Sequence, residues 1–267
     1  PVEHEQYMES ALESGCSFFS EMTWPKNINR YRKIVSRLSG SKKVIGLPSC
    51  TMRFHPSVRK IKELIEKNAV GTPLFIKYHS GQYLRDWHPF EDIRDFYVRD
   101  KSLGGGREQV MFELDWLYWI FGEVKLVWGV AKKLSAMEIK TYDYYTFYLE
   151  FRNGINLDGT VDLIQRDHNR NFKLISETGQ LEWDWRSRGI RYYNAKSGMH
   201  RNYPESPGYA GYFIEEMYRD EIKAFLDAVL CKKTNKYPHS FKDELKIIEL
   251  VSKLEDSWLS GKRQRIK

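Results

Sequence analysis

The residues whose types and spacing could do chemistry lie on a helix predicted near the middle of the chain. Apolar periodicity predicts this helix from about Arg107 to Phe121. Glu108, Phe112 and Asp115 then share one face of it, because residues three or four apart are neighbours on a helix. A carboxylate beside aromatic rings loses hydration, which raises its pKa toward the range of a general base. Glu108 is therefore a candidate base, or it only offsets the helix dipole in the first turn.

A run of polar and aromatic residues precedes this helix and indicates sugar binding. Asp86, Trp87 and His88 lie in a stretch without clear periodicity. Sugar sites combine a stacking aromatic ring with several converging polar groups, and these three residues offer both. The alternative is an ordered surface loop. Further along, Arg166 is a candidate for holding an anionic substrate group, and His168 or His88 is a second candidate base; the alternative for the 165–168 run is a plain turn.

Three more charged residues have two open interpretations each. Arg53 either donates to substrate or forms an interdomain salt bridge. Arg107 either is exposed at the surface or binds a carboxylate or phosphate of the substrate. Asp115 either faces the substrate or pairs with a neighbouring basic group.

Composition and motifs exclude several other classes of protein. Aromatic residues make up 15% of the 267 residues, which is too many for a disordered chain. No apolar run approaches the roughly 18 residues of a membrane helix. Four of the seven net positive charges lie in the last ten residues, so the rest of the chain is only mildly basic and no nucleic-acid face is predicted. No HxxxH, HxH or GxSxG motif suggests a metal site or a serine nucleophile. Three scattered cysteines fit a reducing, cytoplasmic location.

Two regions with different patterns follow one another along the chain. Residues 1–50 alternate helix and strand at short spacing, which is typical of a parallel sheet. Residues 51–267 place strands in quick succession at about 73–83, 123–133, 143–151, 154–163, 171–177 and 180–185, with two helices after them. Closely spaced strands favour antiparallel pairing. The fold class predicted is α/β plus α+β: part of a doubly wound parallel sheet, then a domain with a large, mainly antiparallel sheet.

A series of short motifs adds a family resemblance. In chain order these are Gly15-Cys16-Ser17-Phe18-Phe19-Ser20-Glu21, Arg53-Phe54-His55-Pro56, Gly71-Thr72-Pro73-Leu74, Asp86-Trp87-His88-Pro89, Gly104-Gly105-Gly106, Glu113-Leu114-Asp115 and Gly179-Gln180-Leu181-Glu182-Trp183. Together they resemble the Gfo/Idh/MocA oxidoreductases, which include glucose–fructose oxidoreductase and inositol dehydrogenase. The resemblance covers the whole chain.

The resemblance implies a fold, a reaction and partners. Residues 1–50 correspond to the C-terminal part of an incomplete, N-terminally truncated Rossmann NAD(P)-binding domain, and residues 51–267 to the substrate and oligomerisation domain. The implied reaction transfers hydride from a CH–OH group of a sugar, nucleotide-sugar or polyol to NAD or NADP. A homodimer or homotetramer is implied as well. No GxGxxG loop is present to hold the cofactor phosphates, so poor NAD(P) binding by this chain is expected.

The residues depart from the family pattern at its acid/base positions. The family writes Glu-Lys-Pro where this chain has Glu21, Met22 and Thr23. It writes Asp-x-x-x-His where this chain has Glu108 and Phe112. By resemblance, Glu21 and Met22 lie beside the cofactor, and Phe112 lies beside the substrate.

Neither methionine nor phenylalanine can transfer a proton. Three interpretations stay open: Glu108 is the base, His88 or His168 replaces it, or the protein binds a ligand without turnover. The last describes a non-catalytic carbohydrate-binding or subunit-interaction protein on the same fold.

Overall fold

A parallel strand pair flanked by helices opens the chain. The computed structural model describes residues 3–22, 24–186, 188–205 and 215–266. The first elements are α1 (His4–Ser14), β1 (Phe18–Ser20), α2 (Ile28–Gly40) and β2 (Gly46–Pro48). Gly15 ends α1 at a φ of 70°, and the Asn27 side chain caps α2 by accepting two backbone N–H groups. The strands β1 and β2 pair in parallel, so the predicted α-β-α-β order is confirmed. Thr23 lies outside the described residues.

The rest of the described chain forms a nine-stranded sheet and four helices. The elements are α3 (Pro56–Glu66), β3 (Pro73–Tyr83), α4 (Arg107–Phe121), β4 (Val124–Lys132), β5 (Tyr144–Phe151), β6 (Asn156–Asp162), β7 (Ile164–Ser176), β8 (Gly179–Asp184), β9 (Gly189–Asn194), β10 (Met199–Pro204), α5 (Glu215–Cys231), α6 (Phe241–Ser260) and β11 (Gln264–Arg265). The strand order is β10-β9-β8-β7-β3-β6-β5-β4-β11. Only the β3–β6 pair is parallel among these described strands, so the predicted, mainly antiparallel sheet is confirmed.

The core lies between one face of this sheet and the helices α4 and α6. Every second residue of β5 is buried, from Tyr145 to Phe151, as expected for a sheet covered on one side. Trp116 on α4 meets Phe172 and Trp183 of the sheet, with ring centroids 5.7 and 6.1 Å away. These aromatic contacts fix how α4 lies against the sheet, and therefore where its first turn carries Glu108.

Helix α5 buries a different face from the one that its apolar pattern predicts. The pattern assigns Tyr218 and Ile222 to the core, but they are 45% and 41% exposed. The buried residues are Met217, Glu221 and Ala228. Glu221 accepts hydrogen bonds from the Cys50 backbone N–H and the Thr51 hydroxyl, so polar contacts replace apolar packing there.

Candidate functional site

A cavity of about 360 Å³ forms where the loop after β1 meets the first turn of α4. Its described lining residues are His4, Glu21, Met22, Trp87, Tyr97, Val98, Glu108, Gln109 and Phe112. Five of them were candidates from the sequence: Glu21, Met22, Trp87, Glu108 and Phe112. The two departures from the family's acid/base pattern thus lie at one cavity with the candidate base.

Glu108 is held at this cavity by the segment that follows β1. The Trp24 backbone N–H donates to Glu108 Oε1 at 2.8 Å. The Arg107 guanidinium lies over the Trp24 ring, 4.0 Å from its centroid. Burial raises the pKa of Glu108 to about 7, against the opposing effects of the Trp24 N–H and of Arg107. A carboxyl group with this pKa exchanges protons near neutral pH, which is what a general base needs.

The three consecutive glycines before α4 allow the chain to pass close to Glu108. Gly104 has a φ of +118°, and a Cβ atom there would collide with the Glu108 carboxyl group. Gly105 has a φ of +71°, another backbone conformation that side chains other than glycine rarely adopt. A Cβ on Gly106 would lie 2.5 Å from the Tyr145 hydroxyl oxygen. The Gly-Gly-Gly motif is therefore explained by close packing around the start of α4.

Two aromatic residues from the loop between β3 and α4, Trp87 and Tyr97, line the same cavity. The Trp87 indole Nε1 atom is buried and has no hydrogen-bond partner among the described residues. Because this nitrogen is itself buried, Trp87 lines the cavity with its ring rather than with its N–H group. Burial raises the pKa of Tyr97 to about 12, helped by the charges of Glu108 and Glu21, so its hydroxyl stays protonated. Sequence reasoning missed Tyr97 because its surroundings show no periodicity.

Glu21 completes the polar part of the lining at the carboxyl end of β1. It is exposed to the cavity, yet enough protein surrounds it for loss of hydration to raise its pKa, against a hydrogen bond from Ser49. The His4 ring hydrogen-bonds the backbone of Glu21. Its neighbour Met22 and Phe112 across the cavity supply apolar surface and no proton-transfer group.

A buried hydrogen-bond network around Glu113 lies next to the cavity lining. Glu113 is fully buried and accepts from Ser80 Oγ and Gln109 Nε2, both at 2.9 Å, and from Arg170 Nε at 3.0 Å. The Tyr78 hydroxyl also donates to it. Burial pushes the pKa of Glu113 up, but Arg170 and the hydroxyl donors outweigh that effect and the pKa is lowered. Gln109 both donates to Glu113 and lines the cavity, so it links the network to the cavity.

Arg53 and Asp115 form a buried ion pair away from the described cavity lining. Arg53 Nε donates to Asp115 Oδ2 at 2.8 Å, and a second guanidinium nitrogen reaches Oδ1. Arg53 also donates to the Pro238 carbonyl, so its donors are engaged with protein. The fully buried His239 ring lies 3.4 Å from Asp115 Oδ1, and burial lowers its pKa to about 4. This geometry favours the salt-bridge interpretation of both residues.

Arg107 is also engaged within the fold. It is nearly buried, and one guanidinium nitrogen lies 3.0 Å from both carboxylate oxygens of Glu255. It donates as well to the Gly104 and Lys101 carbonyls. Arg107 therefore contributes to the site by stacking on Trp24 and fixing the glycine loop.

The remaining candidates lie outside the described cavity lining. Asp86 and His88 are exposed, and the His88 ring packs on Phe96 at a centroid distance of 4.7 Å. Arg166 is exposed and stacks on Tyr83, 3.7 Å from the ring centroid.

His168 belongs to the supporting network rather than to the cavity. Its Nε2 atom lies 3.0 Å from an Arg170 guanidinium nitrogen. Burial, followed by the charge of Arg170, lowers the pKa of His168 to about 4. A neutral imidazole with this pKa is a weak base, which favours Glu108 over His168 as the proton acceptor.

No cluster of three or more His, Cys, Asp or Glu side chains suited to a metal ion occurs in the described part of the chain. None of the described helices is both long and apolar enough to cross a membrane.

Fold and site together define a mixed α/β protein with a large, mainly antiparallel sheet and a cavity between the loop after β1 and the first turn of α4. Residues 58–182 match the family model of the GFO/IDH/MocA C-terminal domain. This match spans less than half of the chain, and over that stretch it confirms the family resemblance found in the motifs. No curated protein sequence matches the chain.

Solved structures with this fold align over nearly the whole chain. Levoglucosan dehydrogenase in complex with NADH aligns at a TM-score of 0.87 and 15% identity, over 100% of this chain and 77% of that one. An oxidoreductase from Agrobacterium radiobacter in complex with NAD+, L-tartaric acid and magnesium aligns at 0.83 and 15%, over 98% and 77%. GenD2 from gentamicin A biosynthesis in complex with NAD aligns at 0.79 and 16%, over 100% and 76%. At these identities the similarity establishes the fold.

Proposed function

We propose that this protein is an NAD-dependent oxidoreductase acting on a CH–OH group of a sugar, with Glu108 as the base. The observation that carries the proposal is the Glu108 carboxyl group, held at the cavity with a pKa raised to about 7. Structures of the same fold are sugar dehydrogenases in complex with NADH, which supports the cofactor and the substrate class.

The chain itself offers residues for the nicotinamide end of such a cofactor. Ligands of parallel α/β sheets bind beyond the carboxyl ends of the strands, where Glu21 and Met22 follow β1 and line the cavity. We propose residues 1–50 as the C-terminal part of a Rossmann domain and residues 51–267 as the substrate domain. The parallel pairing of β1 with β2 supports this division, because the sheet of residues 51–267 is mainly antiparallel.

The proposed mechanism assigns separate tasks to the cavity residues. Glu108 accepts the proton of the substrate hydroxyl. The protonated Tyr97 hydroxyl donates to another substrate oxygen, and the Trp87 ring packs against the sugar and orients it. Met22 and Phe112 keep water from the reacting carbon. NAD held beside Glu21 and Met22 would supply the hydride acceptor. Because the Glu108 pKa is about 7, a large share of its carboxyl groups is ionised and ready to accept a proton at neutral pH.

The charges of the lining favour a neutral or amino sugar as the substrate. The described lining residues include the carboxyl groups of Glu21 and Glu108 and no lysine or arginine. A sugar phosphate or sugar acid would bring another negative charge against these carboxylates without a cationic partner. Arg166, the candidate for an anionic group, is stacked on Tyr83 instead.

In a second candidate function, the protein binds a ligand at the cavity without catalysing its oxidation. Met22 and Phe112 stand where the family has its usual proton-transfer residues, and this substitution favours a carbohydrate-binding or subunit-interaction protein.

In either case we propose self-association through the open face of the sheet, where a cavity of about 850 Å³ lies over β3, β7 and β8. The proposed assembly is a homodimer or homotetramer.

Calorimetry with NADH and NADPH on the complete gene product, with the 267-residue chain as the control, tests the proposal. We expect micromolar binding of NADH by the complete product. A screen of neutral, amino and acidic sugars then follows NADH formation, with Glu108→Gln beside the wild type. Cofactor binding without oxidation of any sugar would favour the non-catalytic function, and no cofactor binding by either chain would overturn the oxidoreductase proposal.

A further inference from the structure

A chain of hydroxyl groups connects the cavity to a second, buried carboxyl group. Ser49 hydrogen-bonds Glu21 at the cavity. Ser49 Oγ lies 3.2 Å from Thr51 Oγ1, and either of these atoms can be the donor. Thr51 Oγ1 donates to Glu221 Oε2 at 2.8 Å. Two carboxyl groups on different elements are thus joined through two hydroxyl groups, each of which can donate and accept at once.

The buried end of this chain has surroundings that suit a protonated carboxyl group. Ser49, Thr51 and Glu221 are almost completely buried. The Tyr237 hydroxyl lies 2.8 Å from the Pro48 carbonyl oxygen and 3.4 Å from Glu221 Oε1. The Tyr237 hydroxyl hydrogen is donated to the Pro48 carbonyl oxygen, because that oxygen can only accept. A proton on Glu221 would then give the Tyr237 oxygen a donor.

The groups facing the two carboxyl groups supply no cationic partner among the described residues. His4, Tyr97 and Tyr218 face Glu21, and Cys50 and Tyr237 face Glu221. Burial raises the pKa of these tyrosines and of the Cys50 thiol and lowers that of His4, so all five stay neutral near pH 7. Two guanidinium groups act on these neighbours, that of Arg170 on Tyr218 and that of Arg53 on Cys50, and each is paired with another carboxylate, Glu113 or Asp115.

We propose that Glu21 and Glu221 share one proton through Ser49 and Thr51, which makes Glu21 a second proton-exchanging group of the cavity. Two carboxylates without a cation between them hold a proton in common, because ionising both would leave two uncompensated charges. This inference rests on the proposed function only for its use in catalysis.

The transfer balances without any oxidant or reductant. A proton on Glu21 passes to Ser49, the Ser49 proton to Thr51, and the Thr51 proton to Glu221. Three O–H bonds break and three form, and the net change is one proton moved from the cavity carboxyl group to the buried one. Glu21 is left ionised, ready to take up the proton that sugar oxidation releases to the cavity.

Infrared spectroscopy of the protonated carboxyl band against pH tests the shared proton without any need for activity. Glu21→Gln and Glu221→Gln assign the band, and each is expected to shift the titration of the remaining carboxyl group. Thr51→Val, which keeps the shape and removes the hydroxyl, should uncouple the two titrations, whereas Thr51→Ser should keep them coupled. Thr160→Val on the open sheet face is the matched control. Thermal unfolding confirms that each variant folds.

Two results would overturn the proposal. One is independent titration of Glu21 and Glu221 in the wild type. The other is coupling that survives in a folded Thr51→Val variant. In a sugar oxidation assay, the pH profile of kcat should show an ionisation of the Glu21–Glu221 pair beside that of Glu108. The apparent pKa of the pair should shift in Thr51→Val and return to its wild-type value in Thr51→Ser. If the protein oxidises no sugar but Glu21 and Glu221 still titrate together, the proposed function is refuted while the proposal of a shared proton remains supported.

Discussion

Helix α4 carries two glutamates only five residues apart that the fold treats in opposite ways. Glu113 is fully buried beside Arg170 and has hydroxyl and amide donors around it, and its pKa is lowered. Glu108 is also buried but accepts a hydrogen bond from one backbone N–H and none from a guanidinium among the described residues, and its pKa is raised to about 7. The difference shows that burial alone does not decide ionisation. The hydrogen-bonded partner decides it. The Arg170 guanidinium keeps the Glu113 carboxylate ionised, whereas Glu108, without such a partner, can exchange protons near neutral pH.

The largest expected effect on stability comes from removing the charge that Arg170 neutralises. Glu113→Gln leaves the buried guanidinium without a counter-charge, and we expect the free energy of unfolding to fall by about 3 kcal/mol. Urea unfolding measures this change. Glu182→Gln, which breaks the exposed pair with Lys173, is the control and should cost less than about 1 kcal/mol. Equal losses in both variants would contradict the assigned role of Glu113.

The raised pKa of Glu108 predicts a pH dependence of stability. Native Glu108 stays protonated up to pH about 7, whereas its ordinary pKa is 4.5, so the folded state binds more protons between these values. Stability is therefore fully present at low pH and is lost as pH rises toward 7, with a slope of at most about 1.4 kcal/mol per pH unit. Glu221, whose pKa is also raised to about 7, adds a slope of the same sign.

Unfolding measured across this range should show a shallower slope in Glu108→Gln and in Glu221→Gln. Glu113→Gln offers the contrast, because the pKa of Glu113 is lowered and its contribution is lost as the solution becomes more acidic. An unchanged slope in Glu108→Gln would show that Glu108 titrates as an ordinary exposed carboxyl group.

Much of this fold was predictable from the sequence, because periodicity reports burial directly. The bounds of β3 and α4 agree with the prediction, and β4 to β6 agree within two residues. The strands β9 and β10 were missed because their polar composition hides the alternation, and residues at β10 are mostly exposed. Pattern reasoning also misassigned α5, where Glu221 occupies a buried position normally held by an apolar side chain.

The candidate site was only partly predictable. Glu108, Phe112 and Trp87 could be found because they carry both a residue type and a motif. Tyr97 and His4 reach the cavity through tertiary packing that no local spacing encodes. Arg53 had the right chemistry for substrate binding, but its partner Asp115 lies 62 residues away, so only the structure could pair them.

A smaller effect is expected at the glycine loop that packs on Glu108. Gly104→Ala places a Cβ against the Glu108 carboxyl group at a φ of +118°. We expect a stability loss of about 1 kcal/mol or more, together with a shifted Glu108 titration. Gly154→Ala, at a φ of +90° with no neighbouring atom in the way, is the matched control for backbone strain alone. The same Glu108 titration in both variants would contradict the packing argument.

The smallest effect should come from a candidate that the fold leaves at the surface. Arg166→Ala removes only an exposed guanidinium that stacks on Tyr83. Its stability should change by less than about 0.5 kcal/mol, and its NADH binding should be unchanged by calorimetry. A strong loss of sugar affinity in this variant would mean that the binding surface extends beyond the described cavity.

The measurement that tests the central claim most directly is the pH dependence of kcat/KM for sugar oxidation in the complete gene product, compared between wild type and Glu108→Gln. The account predicts an ionisation near pH 7 in the wild type, and a loss of about 10²- to 10⁴-fold in Glu108→Gln with that ionisation gone. A Glu108→Gln variant that keeps both the wild-type rate and the wild-type profile would contradict the claim that Glu108 is the base.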